Sequence, residues 1–284
     1  MFRIIFASIG SIVAFLASAI ALNEFALKQF YSLSNDATSG VIFLGLFAGF
    51  FFFRSLYQRI VWDRAARYGQ TLSLINEGFA AIHTLNRRDD TVTRDGIVAA
   101  CEKLCGKLAQ AFSTVTGTAC CVTIKMVAID AAGDEPKAIA LCRSSDERSS
   151  SDSVSHPISK NTAFMEIFEH ICAPRGKYFF CNNLPLRYRY ENTSFQVYGE
   201  PDENPLARYW RWPLPYKSTI VVPICPDNRA DRGGGTLIGF LCVDSNAPLA
   251  FRRSYDVDLM LGVSGGLYDV LCNVASRVQG NDMV

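Results

Sequence analysis

Two uncharged apolar runs at the start of the chain constrain its fold more than any other feature. No charged residue lies within residues 4–23, and none within residues 37–53. Such runs are hard to bury in a soluble core of this size, whereas about 20 helical residues match the hydrocarbon of a bilayer. The runs read as a membrane hairpin, with transmembrane helices over about 4–22 and 38–57. Arg3 precedes the pair, and Arg54, Arg59, Arg64 and Arg67 follow it, while the loop between carries only Glu24, Lys28 and Asp36. The positive-inside rule then puts both termini in the cytosol. The expectation is a multi-pass protein of the inner or plasma membrane with a cytosolic C-terminal domain. An alternative makes residues 1–19 a cleaved signal peptide, with Ala17-Ser18-Ala19 as the A-x-A site, and leaves the large domain cytosolic too. The second run is the weaker of the two. Its strictly apolar core, residues 41–53, needs Thr38, Ser39 and a snorkelling Arg54 to complete a span.

The rest of the 284-residue chain, roughly 220 residues, suffices for one domain with its own core. A net charge of +1, from 28 Lys and Arg against 27 Asp and Glu, favours no nucleic-acid partner. Ten cysteines are scattered without a metal or disulfide spacing and read as small reduced apolar residues. Cys101 and Cys105 are one helical turn apart, but on an apolar face and without a C-x2-C pair, so no metal site is expected.

After the second run, apolar residues recur at Tyr57, Val61, Ala65, Tyr68, Leu72, Ile75, Phe79 and Ile82. The steps are those of a heptad seam with one extra four-residue step. A connecting helix over 58–85 is expected, continuous with the second span. It either packs on its own domain or pairs with a second copy as a homodimeric coiled coil. A second helix starts near Thr93 and buries Ile97, Cys101, Leu104, Leu108 and Ala111. Five strand candidates follow: 119–129, 137–142, 177–181, 218–224 and 236–244. The first has Cys120, Val122, Ile124, Met126 and Ala128 on one face. The Ser-rich stretch 144–155 reads as a loop, 162–171 as a helix, and 182–215 as a long irregular lid rich in proline and aromatic residues. A last helix begins near Ser254 and carries Val257, Met260, Leu261, Leu267, Leu271 and Val274 on one side. The fold class is α+β: an antiparallel sheet with the first, second and last helices on one face and segment 144–215 on the other.

Over residues 68–278 the chain resembles a GAF domain. The resemblance is carried by Tyr216-Lys-Ser-Thr-Ile-Val-Val-Pro-Ile224 and Thr236-Leu-Ile-Gly-Phe-Leu-Cys-Val-Asp-Ser245, followed by Phe251 and the final helix. It implies a six-stranded antiparallel sheet with helices packed on one face and a ligand pocket between the sheet and the lid. Such domains bind cyclic nucleotides, bilins, haem or other small molecules, or only dimerise. The Asn-Lys-Phe-Asp-Glu constellation of the cyclic-nucleotide binders is not assembled here. No Cys–His pair of the bilin-attaching type occurs, Cys172 lying two residues after His170.

Within the lid, Arg187-Tyr-Arg-Tyr190 and Arg208-Tyr-Trp-Arg-Trp212 interleave cations with aromatic rings. Guanidinium groups pair with carboxylate or phosphate, and ring faces stack on planar groups. The expected ligand-binding residues are therefore Phe179, Arg187, Tyr188, Arg208, Tyr209, Trp210 and Arg211. The competing reading has the aromatic residues anchor the loop and leaves the arginines in water. No P-loop, GxGxxG, HExxH or GxSxG motif is present, and neither a catalytic residue nor a cofactor is indicated.

Three functions are compatible with these features. The first is a non-enzymatic, membrane-anchored sensory or regulatory protein whose GAF-like domain binds a small molecule or a partner. No kinase, cyclase or DNA-binding domain follows, so the output falls to a partner or to the hairpin. The second is a ligand-gated effector that perturbs the membrane. The third is a thiol-dependent reductase like the GAF-type free methionine-R-sulfoxide reductases, using Cys172 and Cys181, with Cys225 and Cys242 near; a low thiol pKa would be required.

Overall fold

The computed structural model describes residues 35–87, 93–128, 135–144, 155–170, 178–226 and 237–281. The chain divides into two units, Met1–Tyr68 and Gly69–Val284.

In the first unit the described structure is the opening of helix α1 (Asn35–Arg87). Its apolar side chains lie open, Phe50 at 60% and Trp62 at 74% exposure. Among the described residues no helix is long and apolar enough to cross a membrane. This overturns the expected multi-pass localisation in the inner or plasma membrane with a cytosolic domain. The physical reason is length: the thirteen residues 41–53 rise only about 20 Å as helix, against about 30 Å of hydrocarbon. Arg54, Arg59 and Asp63 follow too closely to extend the run. The first expected span, residues 4–22, lies outside the described residues.

In the second unit, α1 buries Thr71, Ile75, Gly78 and Ile82. These positions follow the i, i+4, i+7, i+11 stripe of a helix with one face on a core. That stripe turns Leu72 outward, although the seam had placed it inside; it is 59% exposed. A Cβ at Gly78 would come within 2.8 Å of Leu104 Cδ1, so the glycine sets the approach of the next helix. That helix, α2 (Arg94–Thr116), is capped by Thr93, whose side chain accepts from the Gly96 amide, and ends at Gly117 with φ 69°. It buries Cys101, Leu104, Leu108 and Ala111, as the spacing predicts.

The strands are β1 (Cys120–Ala128), β2 (Lys137–Arg143), β3 (His156–Pro157), β4 (Phe179–Cys181), β5 (Ser218–Ile224) and β6 (Gly239–Ser245). They form one sheet of order β3-β2-β1-β6-β5-β4, antiparallel at every pairing. A Cβ on Gly239 would lie 2.3 Å from the Lys125 carbonyl oxygen, a backbone contact that only glycine permits. Pro223, which has no N–H, sits beyond the stretch Thr219–Val221 that β4 covers. Its carbonyl instead accepts from the Ser264 hydroxyl.

One face of the sheet carries Val122, Ile124, Ile220, Val222, Leu241 and Val243. Against it pack α2 and the last helix, α6 (Arg253–Asn281), through Leu104, Leu108, Phe112, Val257, Met260 and Leu267. Each such side chain contributes on the order of 1.5–3 kcal/mol by burial. The other face carries Phe179, Val221, Phe240 and Cys242 beneath Ile158, Phe164, Ile167 and Leu184. The last four residues belong to the lid, built from α3 (Thr162–Phe168), α4 (Phe195–Tyr198), α5 (Pro205–Trp210) and two 3₁₀ turns.

Candidate functional site

The lid closes over a polar cavity. Cross-strand register turns this face of the sheet into rows. One row runs Arg143, Thr123, Cys242, Val221, Phe179 across β2, β1, β6, β5 and β4; the next runs Cys121, Asp244, Thr219, Cys181. Lys125 stands beside Phe240 in the row on the other side. A bulge puts Arg143 on this face. β1 pairs Ile124 with Cys142 and then Lys125 with Ala140, which leaves Leu141 unopposed. Ala138 therefore packs under the lid while Cys142, four residues on, packs against α2. There its sulfur lies 3.7 Å from that of Cys105.

Two small networks of the lid complete the walls. Asn161 Nδ2 donates to the Pro157 carbonyl at 2.9 Å and to Thr193 Oγ1 at 3.1 Å, and Asn161 Oδ1 accepts from the Thr193 amide. Thr193 Oγ1 is 2.6 Å from His156 Nδ1. The Thr193 hydroxyl thus ties the imidazole of His156 to the Asn161 amide. In the second network Asn192 Nδ2 donates to both Tyr190 OH and Tyr216 OH, at 3.0 and 2.9 Å. Trp212 Nε1 donates to the Tyr216 carbonyl at 2.7 Å and holds that strand entry in place.

The space under the lid is about 60 Å³; Arg143, Thr123, Cys242, Val221, Asp244 and Thr219 of the two rows line it with Lys125, and His156, Asn161, Tyr190, Asn192 and Tyr216 line it from the lid side. Burial, reinforced by Lys125 and Arg143, pulls His156 down to about 3, so it is neutral at physiological pH. Burial and then Asp244 push the Cys242 thiol up to about 12, against the opposing pull of Lys125 and Arg143. Burial above all raises both tyrosines, so their hydroxyls stay protonated as hydrogen-bonding groups. Thus two cations, one carboxylate, a neutral imidazole and several hydroxyls converge on a space fit to hold a polar molecule.

The residues expected to bind ligand lie elsewhere. Phe179 is buried in β4 beside Val221, and the Arg187 guanidinium sits 4.4 Å over its ring while pairing with Glu166. Tyr188 is 75% and Trp210 79% exposed. Arg208 is half-buried and Arg211 exposed. Tyr209 stacks edge-on with Trp210 and lies under Lys217 Nζ at 5.5 Å. None of the seven lines the cavity. The signal pointing to the cavity was the polar side of β1: alternation opposite Val122 and Ile124 puts Thr123 and Lys125 where a lid must cover them. Of the expected thiols, Cys181 is half-buried in the Asp244 row, and Cys172 lies outside the described residues. Among the described residues no cluster of three His, Cys, Asp or Glu could hold a metal.

No family profile and no curated protein matches the chain. Solved structures do. The GAF domain of an Acinetobacter phosphoenolpyruvate-protein phosphotransferase is 12% identical over 75% of this chain and 98% of its own, with a TM-score of 0.41. The free methionine-R-sulfoxide reductase of Neisseria meningitidis, in complex with its substrate, is 13% identical over 75% and 93%, with a TM-score of 0.41. A further GAF domain is 11% identical over 70% and 86%, with a TM-score of 0.44. Likenesses at this level say nothing of ligand, activity or partner. The sheet itself meets what the sequence resemblance implied: six antiparallel strands, helices on one face, and a cavity under a lid on the other. The second unit has a GAF-like α+β fold.

Proposed function

We propose that this protein is a sensory or regulatory protein whose GAF-like domain binds a small polar molecule in the cavity between sheet and lid. One observation carries the reading. His156, Asn161, Thr193, Thr123 and Thr219 are all buried on the lid side of the sheet, although apolar residues there would fold the domain at lower cost. Such an arrangement orients donors and acceptors toward an occupant. Binding is favoured over thiol catalysis because the cavity's own thiol, Cys242, is held protonated, and thiolate is the reactive form. The test is native mass spectrometry of the full chain as purified, with thermal-shift screening of small polar metabolites. A protein that carries nothing and that no compound stabilises would refute the reading.

Self-association along the 57–82 face of α1 belongs to the same proposal. Tyr57 and Leu72 are open, at 66% and 59%, whereas Ile75 and Ile82 are buried within the domain. An interface would therefore use the outward residues. Sedimentation of wild type against Tyr57→Asp tests it: a monomer in both cases removes the dimer.

A further inference from the structure

We propose that the outer face of the lid is a docking site for an acidic segment of a partner protein, one whose carboxylates flank an aromatic or aliphatic side chain. Tyr188, Arg189, Arg208, Trp210 and Arg211 line no part of the cavity, so the inference stands apart from the ligand-binding reading above.

The two motifs that interleave arginine with aromatic rings are brought together by the fold. Helix α5 packs on the 3₁₀ turn Leu184–Leu186, which leads into the first motif. Lys217 links them: its carbonyl accepts from the Leu184 amide at 2.8 Å, and its Nζ stands 5.5 Å over the Tyr209 ring. The apolar side chains of this face are open to water, with Leu186, Tyr188, Leu206 and Trp210 each more than half exposed. Trp210 stacks edge-on with Tyr209, on a helix whose cap, Asn204, accepts from the Leu206 and Ala207 amides. At Arg189 the backbone is left-handed, with φ 52°, a conformation that costs any residue but glycine. That turn leaves Tyr188 and Arg189 exposed, the guanidinium 5.0 Å from the Tyr188 ring centre. Soluble surfaces rarely gather such side chains in water unless something covers them. Tryptophan, tyrosine and arginine are also the residue types that carry most of the energy at protein interfaces.

Charge names the partner. Residues 182–190 and 204–217 carry five cations and no carboxylate. Arg187 pairs with Glu166. Among the described residues the other four, Arg189, Arg208, Arg211 and Lys217, make no ion pair, and Arg208 Nε, shielded from solvent, has no acceptor. A guanidinium fork matches a carboxylate, and complementary charge steers encounter and fixes register. Glu200, Asp202 and Glu203 precede α5, at the end away from Arg211, and bound an acidic partner's footprint on that side. Nucleic acid is the other anionic polymer that stacks on aromatic rings. It has no aliphatic groups of its own to cover Leu186 and Leu206, whereas a protein segment has, so the exposed leucines decide for protein.

The experiment uses the full chain, immobilised, and a displayed library of short random peptides. Sequences enriched over the bare support are expected to be net acidic and to hold a leucine, phenylalanine or tryptophan. Synthetic copies, followed by fluorescence anisotropy, should lose about tenfold or more in affinity on Trp210→Ser and on Arg211→Glu, and should weaken as salt rises from about 0.05 to about 0.5 M. Both side chains are exposed, so both variants should keep the wild-type Tm; if either unfolds, Leu206→Ser and Arg189→Glu test the same face. Enrichment of neutral or basic peptides on the wild type overturns the class. No enrichment at all, or enrichment that survives the substitutions, overturns the surface. Oligothymidylate that binds more tightly than the peptides and displaces them would make this a nucleic-acid face. A wild-type oligomer that Trp210→Ser disperses in sedimentation would make a second copy the occupant, and either result overturns the proposal.

Discussion

The two faces of one sheet follow opposite rules. On the helix side, Val122, Ile124, Leu241 and Val243 meet Leu104, Leu108 and Met260 in an apolar layer, and Gly78 and Gly239 remove a Cβ at close approaches. On the lid side the alternate residues of the same strands are Thr123, Lys125, Cys242 and Asp244, and the layer above them includes histidine, asparagine and tyrosine. The first face is built for stability. The second spends part of that stability on oriented polar groups around a space. A strand in this fold thus serves two purposes with a period of two, and a substitution's effect depends on its parity.

The comparison breaks most easily on the helix side. Leu104 is fully buried between α2 and the neighbouring helices. Leu104→Ala should destabilise the domain by about 4 kcal/mol, the range for a buried leucine that leaves a cavity. Chemical denaturation measures it. Any ligand bound under the lid should keep its affinity in the folded fraction. A loss below 1 kcal/mol would mean that this face is not the main core.

On the lid side the largest effect should come through pH. His156 has its folded value near 3, against 6.5 for the free side chain. The folded value is the lower one, so the unfolded chain binds the extra proton. Stability is therefore complete above about 6.5 and is lost as the pH falls toward 3. Between pH 7 and 4.5 this amounts to on the order of 2 kcal/mol. Carboxylates titrate in the lower part of the same window, so the comparison is with His156→Gln, whose loss of stability over that interval should be visibly smaller. Equal slopes would mean that His156 is not held neutral in the folded state.

Next in size is Asn161. Its amide ties Pro157 and Thr193 together and fixes the Thr193 hydroxyl that serves His156. Asn161→Ala leaves those groups partly unsatisfied and should cost about 1.5 kcal/mol in denaturation. It should also loosen the histidine ring, seen as exchange broadening of its proton resonances.

Parts of this architecture were legible in the residues because one signal dominated locally. Ser218–Ile224 is buried at every position and reads as a strand on apolar content alone. Thr93 with the stripe through Leu108 announces α2 by its cap and its period. Gly239 stands where only a missing Cβ fits. What was not legible depended on partners distant in sequence. β3 is two residues long, too short for any period. The Leu141 bulge reverses the parity of β2 and brings Arg143 into the site, and no composition signals it. The Arg- and aromatic-rich lid motifs promised a ligand surface, but an irregular segment has no period to say which side meets the sheet, and Tyr188, Trp210 and Arg211 turned outward. Tyr190, from the same run, turned in. Hydropathy alone also overcounted: a run of phenylalanines met the eye as a span although its length fell short.

The finest test exchanges the same two residue types in opposite directions on the two faces. Val243 of β6 is fully buried in the helix-side layer, opposite Ile220. Thr219 of β5, one residue from Ile220, points into the cavity beside Asp244. Valine and threonine differ by a methyl against a hydroxyl and have nearly the same shape, so packing changes little and polarity decides. Val243→Thr puts a hydroxyl where every neighbour is apolar and should cost about 1–2 kcal/mol. Thr219→Val removes a hydroxyl from a polar-lined cavity, and there the lost polar group and the gained apolar burial nearly cancel. Its stability should change by less than about 0.5 kcal/mol, while ligand affinity falls. Urea midpoints of the two variants compare them directly. If both lose equal stability, parity does not separate a structural face from a functional one, and the lid side is simply a second core with imperfect packing.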